Sequence, residues 1–132
     1  MNSQTERLTL QGPAGAIEVA RDAASVPDGG APRGVAVIAH PHPLFGGTMD
    51  NKVVQTLARA FVQCGWTAVR FNFRGVGATE GVHDEGRGEL QDLLAVVEQV
   101  GRGRATAGPG GLLVWGVRHQ PRAGHAVAPA AH

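Results

Sequence analysis

The stretch Gly34–His40, which reads GVAVIAH and is bounded by turn residues, decides the fold. Its unbroken run of β-branched and small apolar residues predicts a strand buried on both faces, as the strands of a parallel sheet are. Trp66–Phe73 (WTAVRFNF) is a second strand candidate, rich in β-branched and aromatic residues, and Leu112–Trp115 (LLVW) is a third. Two shorter extended segments near the N-terminus, Arg7–Leu10 and Ala16–Ala20, predict a hairpin.

Two segments between these strands have helical periodicity. The first is predicted to place four side chains on one apolar face: Val53, Leu57, Phe61 and Cys64. On this basis Cys64 is expected to be a core thiol and not a nucleophile. The candidate N-caps of this first helix are Thr48, Asp50 and Asn51, and Gly65 stands where a C′ glycine is common. The second helix is predicted over Gly88–Val100, with an apolar leucine and valine stripe.

The alternation of strands and helices predicts an α/β fold with right-handed crossovers. We expect a doubly wound, mostly parallel sheet of about five strands. The chain has 132 residues, which suits one domain. A formal charge of +1 gives no electrostatic reason to expect nucleic acid or an anionic membrane as a partner. One cysteine excludes an internal disulfide, and neither a signal peptide nor a long apolar span is evident, so we expect a cytoplasmic protein.

The last part of the chain has a different character. Gly116–His132 contains no acidic residue, holds three of the six histidines and shows neither helical nor strand periodicity. The sequence therefore predicts a structured unit over residues 1–115 and an aberrant, irregular tail over residues 116–132. Without a neighbouring strand, Leu112–Trp115 would present a free apolar edge, through which we expect self-association.

Ligands of an open α/β sheet bind beyond the carboxyl ends of its strands, which here directs attention to the loop after His40. This loop reads HPHPLFGG, and its prolines and glycines leave the backbone N–H groups of His42 and Leu44 free to point at a developing oxyanion. The alternative is a stiff connector whose histidines satisfy local hydrogen bonds.

Two motifs in this order, AHPHPLFGGTMDNKVV at residues 39–54 and FRGVGATEG at residues 73–81, resemble the α/β-hydrolase superfamily. The resemblance covers roughly residues 8–115 and is closest to the dienelactone-hydrolase-like bacterial branch, which carries HPHP after its third strand. It implies an incomplete α/β-hydrolase fold and a lineage of serine-type ester or acyl hydrolases. It also implies that the N–H of His42 is an oxyanion donor and that Arg74, Gly75 and Gly77 form a mainly structural loop.

The family pattern breaks after the last predicted strand. There the superfamily places Gly-x-Ser-x-Gly, a strained turn that presents the nucleophilic serine. This chain has Gly116-Val117-Arg118-His119-Gln120, and its only serines are Ser3 and Ser25. The acid and the histidine of the triad come later still in the family. We therefore expect the chain to lack all three members of the triad.

Three interpretations of function remain open. The first is a hydrolase that acts on a small-molecule substrate. The second is an inactive truncated or frameshifted product, because an acid-free segment rich in Ala, Pro, Arg and His is typical of a GC-rich message read out of frame. The third is a small-molecule binding module that uses the crevice at the strand ends. Ligand-dependent stabilisation of the purified chain would favour the third.

Metal and nucleotide sites are less well supported, and we expect neither a metal nor a cofactor. His40 and His42 with His83 and Asp84 lack an ordered third or fourth ligand of a known metallo-hydrolase pattern. The tail histidines have no cysteine or acid nearby: His119, His125 and His132. The glycines of residues 75–81 depart from the dinucleotide fingerprint by one residue.

Overall fold

A computed structural model describes residues 5–27, 30–40, 48–82, 87–102, 111–117 and 127–131. In chain order its elements are strands β1 (Glu6–Gly12), β2 (Gly15–Asp22) and β3 (Gly34–Ala39), helix α1 (Lys52–Gln63), strand β4 (Thr67–Phe71), helix α2 (Arg87–Arg102), and strands β5 (Gly111–Val117) and β6 (Val127–Ala131). The predicted hairpin, three core strands and two helices are all present. No helix in these ranges is long and apolar enough to cross a membrane.

The strands form one six-stranded sheet in the order β1-β2-β4-β3-β5-β6. The three central strands β4, β3 and β5 are parallel, whereas β1, β2 and β6 join through antiparallel pairings. The prediction of an α/β fold is confirmed. The sheet is more mixed than predicted. Strand β2 of the hairpin pairs antiparallel with β4, and at the opposite edge of the sheet a sixth strand, β6, pairs antiparallel with β5.

The core has one layer on each face of the sheet, as the two-residue period of the strands requires. Val37 of β3 and Val69 of β4 belong to the layer on the α2 side, which also contains Val96 of α2. Ile38 follows Val37 in β3, and Ala68 precedes Val69 in β4. Both belong to the opposite layer, which packs against α1 and contains Val54 and its neighbours. This burial on both faces explains the continuous apolar run of β3 and the mostly apolar sequence of β4.

Helix α1 begins and ends close to where the sequence predicts. Of the three candidate N-caps, Asn51 is the one used, and its Oδ1 accepts the N–H of Val53 at 2.9 Å and of Val54 at 3.3 Å. The chain turns out of the helix at Gly65, whose φ is +92°. The prediction of a core thiol is wrong, because the helix ends at Gln63 and Cys64, its C-cap residue, is exposed.

The structure corrects two predictions for this end of the chain: Val127–Ala131 of the predicted irregular tail form a strand, and the β5 edge is not free. β6 pairs antiparallel with β5, so Leu113–Trp115 have a neighbouring strand on both sides. β5 itself continues to Val117, past the predicted boundary at residue 115. Pro129 reads as a strand breaker, but an edge strand tolerates proline on the side that faces no partner. Residues 118–126 lie outside the described part of the chain.

Candidate active site

The candidate site lies where β3, β4 and β5 end. β3 lies between β4 and β5 in the sheet, and Ala39, the residue before His40, is paired with Gly116 of β5. In an open α/β sheet this edge is the usual place for ligands. The interactions below concern the chain segments that leave this edge.

His40 connects the end of β3 to the end of β4. Its side chain is buried, and Nε2 accepts the backbone N–H of Phe73 at 3.0 Å. The rings of these two residues also meet edge to face, with centroids 4.8 Å apart. Because Nε2 is the acceptor, a neutral ring carries its proton on Nδ1. His40 therefore anchors the start of the HPHP loop, and its Nε2 is occupied by a structural hydrogen bond.

Met49 fixes the other end of the same loop. Asn72 Oδ1 accepts the N–H of Met49 at 2.8 Å, while Arg70 Nη1 donates to its carbonyl at 2.9 Å. Arg70 also pairs with Asp50 at 3.1 Å. Residues 40 and 49 are thus both tied to β4 and its exit. The candidate oxyanion donors, His42 and Leu44, lie between these anchors and outside the described residues, so their role stays a prediction.

Arg70, which binds the carbonyl of Met49, has the largest fully buried side chain among the described residues. It is fully buried, and its Nε lies 3.8 Å from Oδ2 of Asp22, which is 4% exposed. A buried guanidinium requires a carboxylate partner, since an unpaired charge in the interior is costly. The sequence analysis did not predict this pair, although an arginine inside a mostly apolar strand was the available sign.

The Arg-Gly-x-Gly loop after β4 is held by helix α2. Arg74 binds Asp92 through Nε at 3.1 Å and Nη2 at 2.9 Å, and its own N–H donates to the same carboxylate at 2.9 Å. Asp92 is only 2% exposed, so this two-pronged pair is largely removed from water. Gly75 and Gly77 have φ values of +82° and +55°, which favour glycine. These contacts agree with a structural role for the loop.

A second set of hydrogen bonds, which the sequence analysis missed, joins the same loop to β2. Glu18 Oε1 accepts from Asn72 Nδ2 at 2.8 Å and from the N–H of Ala78 at 2.8 Å. Thr79 Oγ1 accepts the N–H of Glu18 at 2.9 Å and donates to the carbonyl of Asn72 at 2.8 Å. An acid inside the short apolar run of β2 was the only sequence sign. Asn72 is the residue that this network shares with the anchor at Met49.

The alternative ligand sites receive no support from the described residues. Within the ranges that the structure describes, no group of three histidine, cysteine or acidic side chains could hold a metal ion. His42, His83 and Asp84 lie outside those ranges, as do the histidines of the tail. An apolar cavity of about 190 Å³ is lined in part by Val35 and Thr67. These residues lie near the starts of β3 and β4, so the cavity is at the end of the sheet opposite the candidate site.

Comparison with known proteins supports the same assignment of fold. XC6422 from Xanthomonas campestris, an a/b serine hydrolase without lid, superposes with a TM-score of 0.75 at 40% identity, covering 91% of this chain and 52% of its own. An alpha-beta serine hydrolase homologue from Coxiella burnetii gives a TM-score of 0.73 at 40% identity, over 91% of this chain and 53% of its own. An uncharacterized protein of Rickettsia prowazekii, RP471, is 41% identical over 92 residues, which are 70% of this chain and 37% of that protein.

The fold and the loops at its strand ends define the class of the protein: the chain has an α/β-hydrolase fold, and its similarities support a place in the α/β-hydrolase superfamily. It spans about half the length of the solved structures it matches, and about a third of the curated relative. No protein-family model matches it.

Proposed function

We propose that this chain belongs to a lineage of serine-type ester or acyl hydrolases, in the dienelactone-hydrolase-like branch, and that it supplies the oxyanion side of the active site. The observation that carries the proposal is the double anchoring of the HPHP loop, by His40 on Phe73 and by Met49 on Asn72 and Arg70. Oxyanion stabilisation needs backbone donors that are held in place before the reaction. A loop fixed at both ends suits that task.

In the proposed chemistry, a serine attacks the acyl carbon and a histidine takes its proton. The carbonyl oxygen becomes an oxyanion, which accepts hydrogen bonds from the backbone N–H groups of His42 and Leu44. The leaving group departs with the proton from the histidine, and water then releases the acyl group by the same steps. The oxyanion donors are the only part of this machinery that we assign to residues of this chain.

The nucleophile is not among the residues that we assign. Arg118 occupies the position that the family pattern gives to serine, and a guanidinium stays protonated and cannot attack a carbonyl. Of the two serines, Ser25 donates its N–H to the carbonyl of Val62 near the end of α1, away from the strand ends of the candidate site. We therefore propose that residues 1–132 alone do not hydrolyse esters.

Two measurements test this proposal. The chain of residues 1–132 should neither be labelled by a fluorophosphonate nor hydrolyse p-nitrophenyl acetate faster than free imidazole. Stoichiometric labelling accompanied by turnover would refute the proposed inactivity. The second measurement uses a chimera in which residues 1–115 replace the equivalent half of the Xanthomonas serine hydrolase. If this chain supplies a working oxyanion side, the chimera hydrolyses the ester.

Matched variants of the chimera test the oxyanion donor itself. His42→Pro removes the backbone N–H, whereas His42→Ala changes the side chain and keeps the N–H. Loss of one oxyanion donor costs about 100-fold to 1000-fold in kcat in a serine hydrolase. We expect His42→Pro to be slower than His42→Ala by about that factor. Equal rates for the two folded variants would contradict the assignment of His42.

A further inference from the structure

Asp22 is an acidic residue in the interior of the protein, at the end of β2. It is 4% exposed and is paired with Ala68 of β4 in the sheet. Arg70 comes two residues later in β4, so its side chain lies on the same face as that of Ala68. Its Nε is 3.8 Å from Asp22 Oδ2, which is an ion-pair contact and too long for a hydrogen bond. The other oxygen of Asp22 accepts a hydrogen bond from the hydroxyl of Thr5, the residue before β1. The carboxylate is therefore held between the start of β1 and Arg70.

The other end of the same guanidinium holds the HPHP loop. Arg70 Nη1 donates to the carbonyl of Met49 at 2.9 Å and to Asp50 Oδ1 at 3.1 Å. A guanidinium is planar and rigid, so a carboxylate beside Nε also sets the direction in which Nη1 points. Asp22 is thus connected to the end of the loop through one fully buried side chain.

We propose that Asp22 is a positioning residue for the oxyanion side of the candidate active site. It acts through Arg70, whose Nη1 it keeps aimed at the carbonyl of Met49, and so holds one end of the HPHP loop. The effect on a reaction rests on the proposed function, whereas the connection from Asp22 to Met49 does not. Asp22 itself touches no reacting group in this proposal.

Burial explains why Asp22, and not Asp50, has this role. The side chain of Asp50 is 53% exposed, so water screens its attraction to Arg70, whereas the side chain of Asp22 is 5% exposed. Without the Asp22 charge, Asp50 would be the remaining carboxylate partner of Arg70 among the described residues. An unpaired buried charge is costly, so the guanidinium would shift toward Asp50 and the solvent. Nη1 would then leave the carbonyl of Met49.

Hydrogen exchange in the full chain tests this connection without reference to catalysis. The N–H of Met49 donates to Asn72, and its exchange rate reports how often this end of the loop opens. Asp22→Asn removes the charge, and we expect the Met49 N–H to exchange about tenfold faster or more, as for a lost hydrogen bond to a charged group. Glu6→Gln is the matched control, because it removes the exposed acidic partner of Arg21 on the same two strands and should leave this rate unchanged. An unchanged rate in Asp22→Asn would overturn the inference.

The chimera with residues 1–115 tests the effect on the reaction. Asp22→Asn should lower kcat by about tenfold to 100-fold, as a small misplacement of catalytic groups does, with little change in KM. Glu6→Gln should leave both constants unchanged. A parent chimera without activity would refute the proposed function, and hydrogen exchange would still decide whether Asp22 holds Met49. An active chimera whose kcat is unaffected by Asp22→Asn would overturn the positioning role.

A double variant separates positioning from a merely structural role. Asp22→Leu/Arg70→Met replaces the buried ion pair by apolar side chains, which is often neutral for stability, whereas Asp22→Asn leaves the Arg70 charge uncompensated. We expect the melting temperature of the double variant to recover, while its kcat stays as low as that of Asp22→Asn, because the carbonyl of Met49 still lacks its donor. If Asp22→Asn does not fold, the double variant provides the same test. Recovery of kcat together with stability would show that the pair is only structural and would overturn the proposal.

Discussion

Asn72 Oδ1 accepts a hydrogen bond of 2.8 Å from the backbone N–H of Met49, which lies 23 positions earlier in the chain. The Nδ2 of the same amide donates to Glu18 Oε1 at 2.8 Å. The side chain of Asn72, the residue after β4, therefore ties the end of the HPHP loop to strand β2. Its two hydrogen bonds need an oxygen on one side and an N–H on the other. An amide supplies both in one planar group, whereas a carboxylate supplies only acceptors.

The first prediction concerns this amide. Asn72→Asp keeps the acceptor for Met49 but places a carboxylate against the Glu18 carboxylate. We expect a loss of about 1–3 kcal/mol in the free energy of unfolding, measured by urea denaturation near neutral pH. Adding Glu18→Gln supplies an N–H for the new carboxylate, and the double variant should recover part of the loss. A double variant less stable than Asn72→Asp alone would argue against the arrangement.

The second prediction compares Gly77, in the loop after β4, with Gly116, near the end of β5. Gly77 has a φ of +55°, and a Cβ there would lie 2.5 Å from Glu18 Oε1 and 2.6 Å from Asn72 Nδ2. Gly77→Ala is therefore strained and crowds the network, and we expect it to cost about 1–3 kcal/mol. At Gly116 a Cβ would meet nothing within 4 Å. Gly116→Ala, the control, should change stability by less than about 0.5 kcal/mol, and equal effects would count against this loop geometry.

The third prediction concerns the pair that joins the Arg-Gly-x-Gly loop to α2. Removing one member of a buried ion pair leaves the other charge uncompensated, which costs about 3–5 kcal/mol. Since Asp92 is almost fully buried, Arg74→Ala should lower the free energy of unfolding by an amount in this range. The double variant Arg74→Ala/Asp92→Leu removes both charges and should be more stable than Arg74→Ala. Additive losses in a double-mutant cycle would contradict the pairing.

The sequence predicted the parts of the fold that depend on local patterns. β3 and β4 are buried on both faces. The continuous apolar run GVAVIAH and the β-branched and aromatic residues of WTAVRFNF were enough to identify both as strands. Helix α1 was marked by its periodicity and by three candidate N-caps, of which the structure uses Asn51. Cys64 was misplaced because a periodic face does not show at which residue a helix stops.

The contacts that shape the candidate site were beyond the sequence. Glu18 and Asn72 are 54 residues apart, and their pairing depends on the antiparallel register of β2 with β4. No local pattern carries that register. The strand at Val127–Ala131 was missed for another reason, since Pro129 and its alanines have low strand propensity and pairing with β5 overrides it.

The origin of the tail leads to the fourth prediction. One of the interpretations left open above is that residues 116–132 are read out of frame, which we infer from their acid-free composition and from the break of the family pattern at Gly116. If so, another reading frame of the gene after the Gly116 codon encodes further strand–helix alternation with an aspartate and a histidine. Sequencing of the gene decides this. Stop codons or patternless sequence in the other frames would show that the tail is native.

The last prediction tests the pairing of β6 with β5. Pro129 has no N–H, so we expect it to occupy the side of β6 that faces away from β5, with Ala128 and Ala130 donating to the ladder. Ala130→Pro then removes a ladder hydrogen bond, and Pro129→Ala removes none. An unpaired apolar edge promotes aggregation, so Ala130→Pro should scatter light and bind thioflavin sooner than the unaltered chain. Pro129→Ala is the matched control and should behave like the unaltered chain. If Pro129→Ala aggregates as fast as Ala130→Pro, Ala128 and Ala130 are not the residues that donate to β5, and this register is refuted.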